Sequence, residues 1–294
     1  MRRETMSRAT KVFALLLRVL LAALLLVSAV AKLLAIDDFE LYIFSYGLLP
    51  LNISYLAARL CIVAELLLAL FIALGWWRRR VNLAAFVLLI LFSLFLCYAA
   101  LIGRTDSCQC MGRLADLNPL QSLLKNALLI TLVLLYSRLS RVSRTSRASS
   151  LKVILSILFA VAVTVAVFCI SVPDNWMFGP EEARYDRELL EESIGPDGVL
   201  ADEGLAEGHQ LMAFVTRGCP YCRMTRGKLG SIAKRNHLDT TLIHYYEPAD
   251  LPAGLFLRIT YGQRPFILLL DDGVPVVTYH YRNISERQVA DFLR

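Results

Sequence analysis

Five stretches of this chain run almost without polar interruption: residues 12–35, 56–77, 81–103, 119–136 and 151–172. Each is near the ~20 residues that a helix needs to cross a bilayer, so the pattern predicts five membrane spans. Beyond residue 208 the pattern changes to short alternating blocks. A strand is expected over 211–216, a helix over 219–235, a strand over 240–245 and a helix over 253–261. Residues 266–270 and 275–280 flank an Asp-Asp-Gly turn as a hairpin, and a last helix opens at the box Ser285-x-x-Gln288. Between the halves, 173–208 is acidic and carries the turn signals Gly179-Pro180 and Gly195-Pro196-Asp197-Gly198. It reads as a linker or lid with a short helix over 185–193.

Composition agrees with the membrane reading. The chain is 57% hydrophobic, with a mean hydropathy of +0.55, too apolar for an ordinary soluble domain. Its net charge of +6 is concentrated at the N-terminus, at Arg78-Arg79-Arg80 and over 138–152. That placement fits topology rather than nucleic-acid binding. By the positive-inside rule the three basic segments lie in the cytoplasm, while 36–55 and 104–118 lie outside. The expectation is a multi-pass protein of the cytoplasmic (inner) membrane with a cytoplasmic N-terminus. The fifth span then exports everything after Pro173. Ala29-Val30-Ala31 resembles a signal-peptidase site, but Arg18 and the length of the first run favour a retained span.

Candidate chemistry centres on Arg217-Gly218-Cys219-Pro220-Tyr221-Cys222-Arg223. A thiol at a helix N-terminus meets unpaired N–H groups and the positive end of the dipole, which favours its thiolate. Arg217, Arg223, Arg226 and Lys228 are expected to add positive charge. Cys219 is the expected nucleophile and Cys222 the resolving partner. Half a zinc site or a static disulfide is the alternative, but this half of the chain has no second Cys pair or paired His to complete four ligands. His209, His237, His244 and His280 show no ligand spacing, and the absence of His from the spans argues against bis-His haem.

A second pair, Cys108 and Cys110, falls on the outer loop between spans three and four. A disulfide between them closes a very small, readily reduced ring. Three readings stay open: an exchange partner, an inert loop, and a Cu(I) site completed by Met111. Cys61, Cys97 and Cys169 lie within spans and read as small buried hydrophobes. Charges inside spans are costly. Glu65 and Lys125 lie deep enough to form an intramembrane ion pair, either structural or part of a proton path. Lys32 and Arg59 lie closer to the outer surface, where they can snorkel.

Ala31-Lys32-Leu33, Tyr46-Gly47-Leu48-Leu49-Pro50, Glu65 and Cys108-x-Cys110-x-Gly112 together resemble the MauE/DoxX-like family of redox-associated membrane proteins, over residues 12–138. The resemblance implies a four-helix membrane bundle with Cys108 and Cys110 as its redox pair. MauE members are associated with disulfide formation in an exported enzyme subunit, and DoxX-type relatives with electron transfer towards quinone. The fifth helix is then an addition, a tether for the exported half of the chain.

Cys-Pro-Tyr-Cys resembles the active-site signature of glutaredoxins. The strand–helix–strand–helix–strand–strand–helix order, with Tyr261-Gly262-x-Arg264-Pro265, resembles the thioredoxin fold. Two residues fewer precede the proline, and Phe266 replaces the usual small polar residue after it. The resemblance implies a cis bond before Pro265 in a turn facing Cys219. An ordinary strand-initiating proline is the plainer reading.

The expected organisation is a four-helix DoxX/MauE-like membrane domain (1–138), a basic loop and fifth helix (139–172), an acidic extracytoplasmic linker (173–208) and an α/β thioredoxin-like domain (209–294). The expected function is thiol:disulfide exchange between Cys219/Cys222 and Cys108/Cys110. It would oxidise cysteine-containing exported clients and end at a quinone or another oxidant. No bound cofactor and no nucleic-acid partner is expected; the lipid bilayer is. The rivals are a reductase of the same architecture and a Cu(I)-binding chaperone for metal-site maturation.

Overall fold

The computed structural model describes residues 8–103, 117–140, 150–173 and 184–294. The chain divides into two compact units, Met1–Tyr42 with Ala57–Ser171, and Ile43–Leu56 with Val172–Arg294.

The first unit is helical: α1 (Arg8–Leu34), α2 (Ile36–Phe44) as far as Tyr42, α3 (Leu51–Leu74) from Ala57 onward, α4 (Arg78–Leu101), α5 (Pro119–Ser140) and α6 (Ser150–Ile170). Among the described residues, all of these but α2 are long and apolar enough to cross a membrane. At 1.5 Å per residue, the 24 residues of α4 reach roughly 36 Å, beyond the ~30 Å hydrocarbon core. The interior is built from i, i+4 stripes. Leu17, Leu21 and Leu25 of α1 meet Leu68 and Ile72 of α3, Val81, Ala85 and Leu89 of α4, and Leu129 and Val133 of α5. Val167 of α6 packs with Ile36, Ile62 and Val63. The rest of α6 turns Leu151, Ile154, Ile157, Leu158, Val161 and Val165 outward. Outward apolar faces of this kind are suited to lipid, and such spans imply a bilayer environment.

The α3–α4 turn is tight. Gly75 has a φ of 66° and Trp77 a φ of 48°. A Cβ at Gly75 would lie 2.6 Å from Arg18 Nη1, so glycine lets the guanidinium rest on the turn.

Two sequence expectations need correction here. Residues 36–55 are not simply a loop, because α2 occupies Ile36–Phe44 and α3 starts at Leu51. Asp37 and Asp38 suit the first turn of α2, and Ile36, Phe39 and Tyr42 are its buried side. The fifth helix is also more than a tether, since it belongs to the first unit and packs against it.

The second unit contains a mixed four-stranded sheet of order β2-β1-β3-β4. Its strands are β1 (His209–Phe214), β2 (Ile243–Tyr246), β3 (Phe266–Asp271) and β4 (Val274–Tyr279). β1 runs parallel to β2 and antiparallel to β3, and β3 runs antiparallel to β4. The helices are α7 (Arg187–Ile194), α8 (Pro220–Asn236), α9 (Leu255–Thr260) and α10 (Glu286–Phe292). These elements match the order expected from the sequence.

Central strands β1 and β3 are buried on both faces, so successive residues feed two cores. Leu211, Ala213, Ile267 and Leu269 join Leu229 and Ile232 of α8 and Val289 of α10. Met212, Phe214, Phe266 and Leu268 join Leu190 and Ile194 of α7 and Phe256 and Ile259 of α9.

The expected linker is therefore not a linker over its described part. Asp186 caps α7 by accepting the Leu189 N–H (3.1 Å), and Leu190, Ile194, Leu200 and Leu205 are buried in the second core. The acidic residues hid an amphipathic pattern whose leucines close one face of the sheet. Nor does the unit begin at 173 alone. Phe44, Leu51 and Tyr55 belong to its first core, and Glu286 accepts the Leu51 N–H at 2.8 Å.

Candidate functional site

β1 leads through Val215, Thr216, Arg217 and Gly218 into α8. Gly218 has a φ of 76°, the left-handed conformation that glycine adopts without strain. Cys219 is the N-cap, extended at φ −83° and ψ 117°, and Pro220 takes the first helical position, where no N–H is needed. The Cys219 sulfur accepts the Cys222 N–H at 3.4 Å, so this thiol satisfies one of the orphan donors of the helix end. Cys219 is half-buried and Cys222 is 1% exposed.

The two sulfurs differ electrostatically. Burial pushes the Cys219 thiol up, but hydrogen bonds from the Cys222 thiol, the Cys222 and Tyr221 N–H groups and the Thr216 hydroxyl outweigh it. The net shift is below the ordinary thiol value. Burial pushes Cys222 up, and its hydrogen bond to Cys219 pushes the same way. Cys219 is thus the more readily ionised and more accessible sulfur of the pair.

The hydrogen bonds that lower Cys219 take the place of the expected basic cluster. Arg217 and Arg226 both bind Glu247, at 2.7 and 2.8 Å, so this one carboxylate offsets one of their two positive charges. Lys228 is 1% exposed, donates to the Tyr281 carbonyl at 3.1 Å and sits over the Tyr55 and Tyr281 rings. Thr216, not singled out from sequence, lies 3.7 Å from the Cys222 sulfur. Its only sequence signal is its position at the end of the strand that leads to the pair. Tyr221, partly exposed, stacks on Tyr281 with centroids 4.5 Å apart.

The Arg264–Pro265 peptide bond is cis. Pro265 immediately precedes β3, and the register pairs Phe266 with Phe214. Pro265 therefore sits beside the C-terminal end of β1, the end that leads to Cys219.

In the first unit, Lys32 Nζ lies 2.7 and 2.8 Å from the two oxygens of Glu65 and donates to Ser28 Oγ at 2.8 Å. Lys32 is 2% and Glu65 5% exposed. This corrects the expected Glu65–Lys125 pair and the expected snorkelling of Lys32. The cause is α2: its Phe39 ring lies over Lys32 from one side, while Phe92 of α4 lies at 5.4 Å. Arg59 is buried as well, paired with Glu40 of α2 and donating to the Ser171 carbonyl at 2.7 Å. Cys61 is half-buried, and Cys97 and Cys169 are exposed on the helix surfaces rather than buried.

Cys108, Cys110 and Met111 lie outside the described residues. Among the described residues, no group of three or more His, Cys, Asp or Glu side chains is placed to hold a metal.

Residues 10–138 match the family model described as methylamine utilisation protein MauE. The matched stretch spans α1 through most of α5, less than half of the chain, and leaves out α6 and the mixed sheet. Neither a curated protein nor a solved structure matches the chain. A MauE-like set of membrane helices followed by a small mixed α/β unit is thus the class of protein in view.

Proposed function

We propose that the protein is a membrane-anchored thiol:disulfide oxidoreductase, with a thioredoxin-like domain oriented to the outside of the cytoplasmic membrane. The observation that carries this reading is the Cys219–Cys222 pair, with one sulfur capping α8 and the other buried behind it. The strand order β2-β1-β3-β4, with a cis proline entering β3 next to the end of β1, supports the thioredoxin-like assignment.

The reaction follows from the two sulfurs. With the pair as a disulfide, a client thiolate attacks Cys219, the bond to Cys222 breaks and Cys222 leaves as a thiolate. A second client thiolate then attacks the client sulfur of the mixed disulfide and releases Cys219. The client gains a disulfide, and the domain holds two electrons and two protons. Hydrogen bonds that stabilise the Cys219 thiolate favour the reduced form, which makes the pair a stronger oxidant. Cys108 and Cys110 are the proposed acceptor of those electrons, passing them to a quinone or another oxidant. Fusion in one chain keeps the pairs at high effective concentration.

Alkylation trapping of thiols in intact cells tests this. Both pairs are expected mainly as disulfides, and Cys110→Ser is expected to leave Cys219 and Cys222 accumulating as thiols. Pairs that rest as thiols in the unaltered protein would turn the direction to reduction. A Cys219/Cys222 state indifferent to Cys110→Ser would break the relay.

A further inference from the structure

A groove of about 520 Å³ runs along the first unit between α3, α4 and α6. Its walls are apolar, among them Phe71, Ala84 and Leu88. Two polar side chains line it. Ser156 of α6 is satisfied, accepting from Trp77 Nε1 at 3.1 Å and donating to the Lys152 carbonyl at 2.7 Å. The other is the exposed Arg80, whose guanidinium lies 5.5 Å from the Trp77 ring centre at one end of the groove. From Arg80 the lining extends along α4 to Leu91. Eleven residues of helix span roughly 16 Å, about half of the ~30 Å hydrocarbon core. The groove has the reach of one leaflet.

The same turn gathers more positive charge. Arg18 rests its guanidinium against Gly75, and Arg78 Nε donates to the Gly75 carbonyl at 3.3 Å. Arg18 Nε is buried and has no hydrogen-bond partner among the described residues. An apolar slot one leaflet deep, with the Arg80 guanidinium and the Trp77 indole at one end and Arg18 and Arg78 on the adjoining turn, complements a lipid with an anionic headgroup. Basic pockets between spans recognise such headgroups, and Trp favours that depth. A neutral ring would leave these cations unmatched.

We propose that this groove is a binding site for an anionic phospholipid, with an acyl chain along α4 and the phosphate held at the α3–α4 turn by Arg80 and Arg18. The site is independent of the thiol chemistry. Native mass spectrometry of the full chain, released from nanodiscs containing equal phosphatidylglycerol and phosphatidylcholine of the same chain length, is the test. Phosphatidylglycerol is expected to be retained preferentially. Arg80→Gln and Arg18→Gln are each expected to weaken that preference about fivefold, the equivalent of one surface arginine. Ala84→Phe, which fills the slot, is expected to reduce retention of both lipids. Equal retention of the two lipids by the unaltered protein would overturn the proposal. So would a preference that survives both arginine changes, or a retained isoprenoid quinone in place of phospholipid.

Discussion

Lys32 and Glu65 form a two-pronged ion pair at 2.7 and 2.8 Å, almost wholly removed from solvent, between α1 and α3. Removing one partner strands the other charge. Lys32→Met or Glu65→Leu is expected to cost about 3–5 kcal/mol, and the double change Lys32→Met/Glu65→Leu much less than the sum. Thermal unfolding in detergent reads this. Lys125→Met, on a half-buried side chain, is expected to cost less than Lys32→Met. Equal losses would restore the Lys125 pairing.

Cys219 reactivity has a defined pH signature. Its thiolate is favoured, so the midpoint of the pH–rate profile for alkylation by iodoacetamide should lie below the ordinary thiol value of ~8.5. The rate then falls as pH drops through the lowered value. Thr216→Val removes one hydrogen bond and is expected to move the profile upward. A profile unmoved by Thr216→Val would show that the hydroxyl does not tune the sulfur.

The stability of the reduced second unit carries opposite contributions from the two thiols. The lowered Cys219 value adds stability that is present above the unfolded thiol value of ~8.5 and is lost as pH falls through the folded one. The raised Cys222 value adds stability that is present below ~8.5 and is lost as pH rises through the folded one. Cys219→Ala removes the first contribution and leaves the burial of Cys222, the largest cause of its raised value. Denaturant titration of this variant should therefore show stability falling as pH rises above ~8.5. Stability rising over that range would contradict the assigned direction for Cys222.

Leu190 distinguishes a core element from a linker. It is fully buried against the sheet, so Leu190→Ala is expected to destabilise the second unit by about 2–5 kcal/mol. Hydrogen exchange of β1 and β3 amides reports it. Unchanged protection would return this segment to linker status.

The stretch Ile43–Leu56 makes a parallel prediction. Phe44 is 1% exposed in the core that holds Leu211 and Ile267, and Phe44→Ala is expected to cost about 3–5 kcal/mol there. Faster alkylation of buried Cys222 in the full chain would register the loss; an unchanged rate would count against it.

Local hydrophobic period carried much of this protein. Long apolar runs marked the five long helices, and short apolar runs bounded by turn residues marked β1 and β3, because each pattern is written in adjacent residues. The capping geometry of Cys219 was also legible, since Cys-Pro-x-Cys after a strand places one thiol before a helix and the other a turn inside it. Helix α2 was missed although Ile36, Phe39 and Tyr42 lie at helical spacing. That omission hid Glu40 as the partner of Arg59 and Phe39 as the cover of Lys32. Thr216 was silent because nothing in a threonine ending a strand says which sulfur it will face.

Adjacent residues therefore specify the kind of each element and the two solvents, lipid and water, that their surfaces suit. Tertiary packing sets which charges meet, which leucines close the second face of the sheet, and that Ile43–Leu56 completes a core formed more than 150 residues later. Those choices depend on which elements become neighbours. A buried ion pair or a shared core is selected by the energy of leaving a charge or an apolar face uncovered, and no run of adjacent residues encodes that partner.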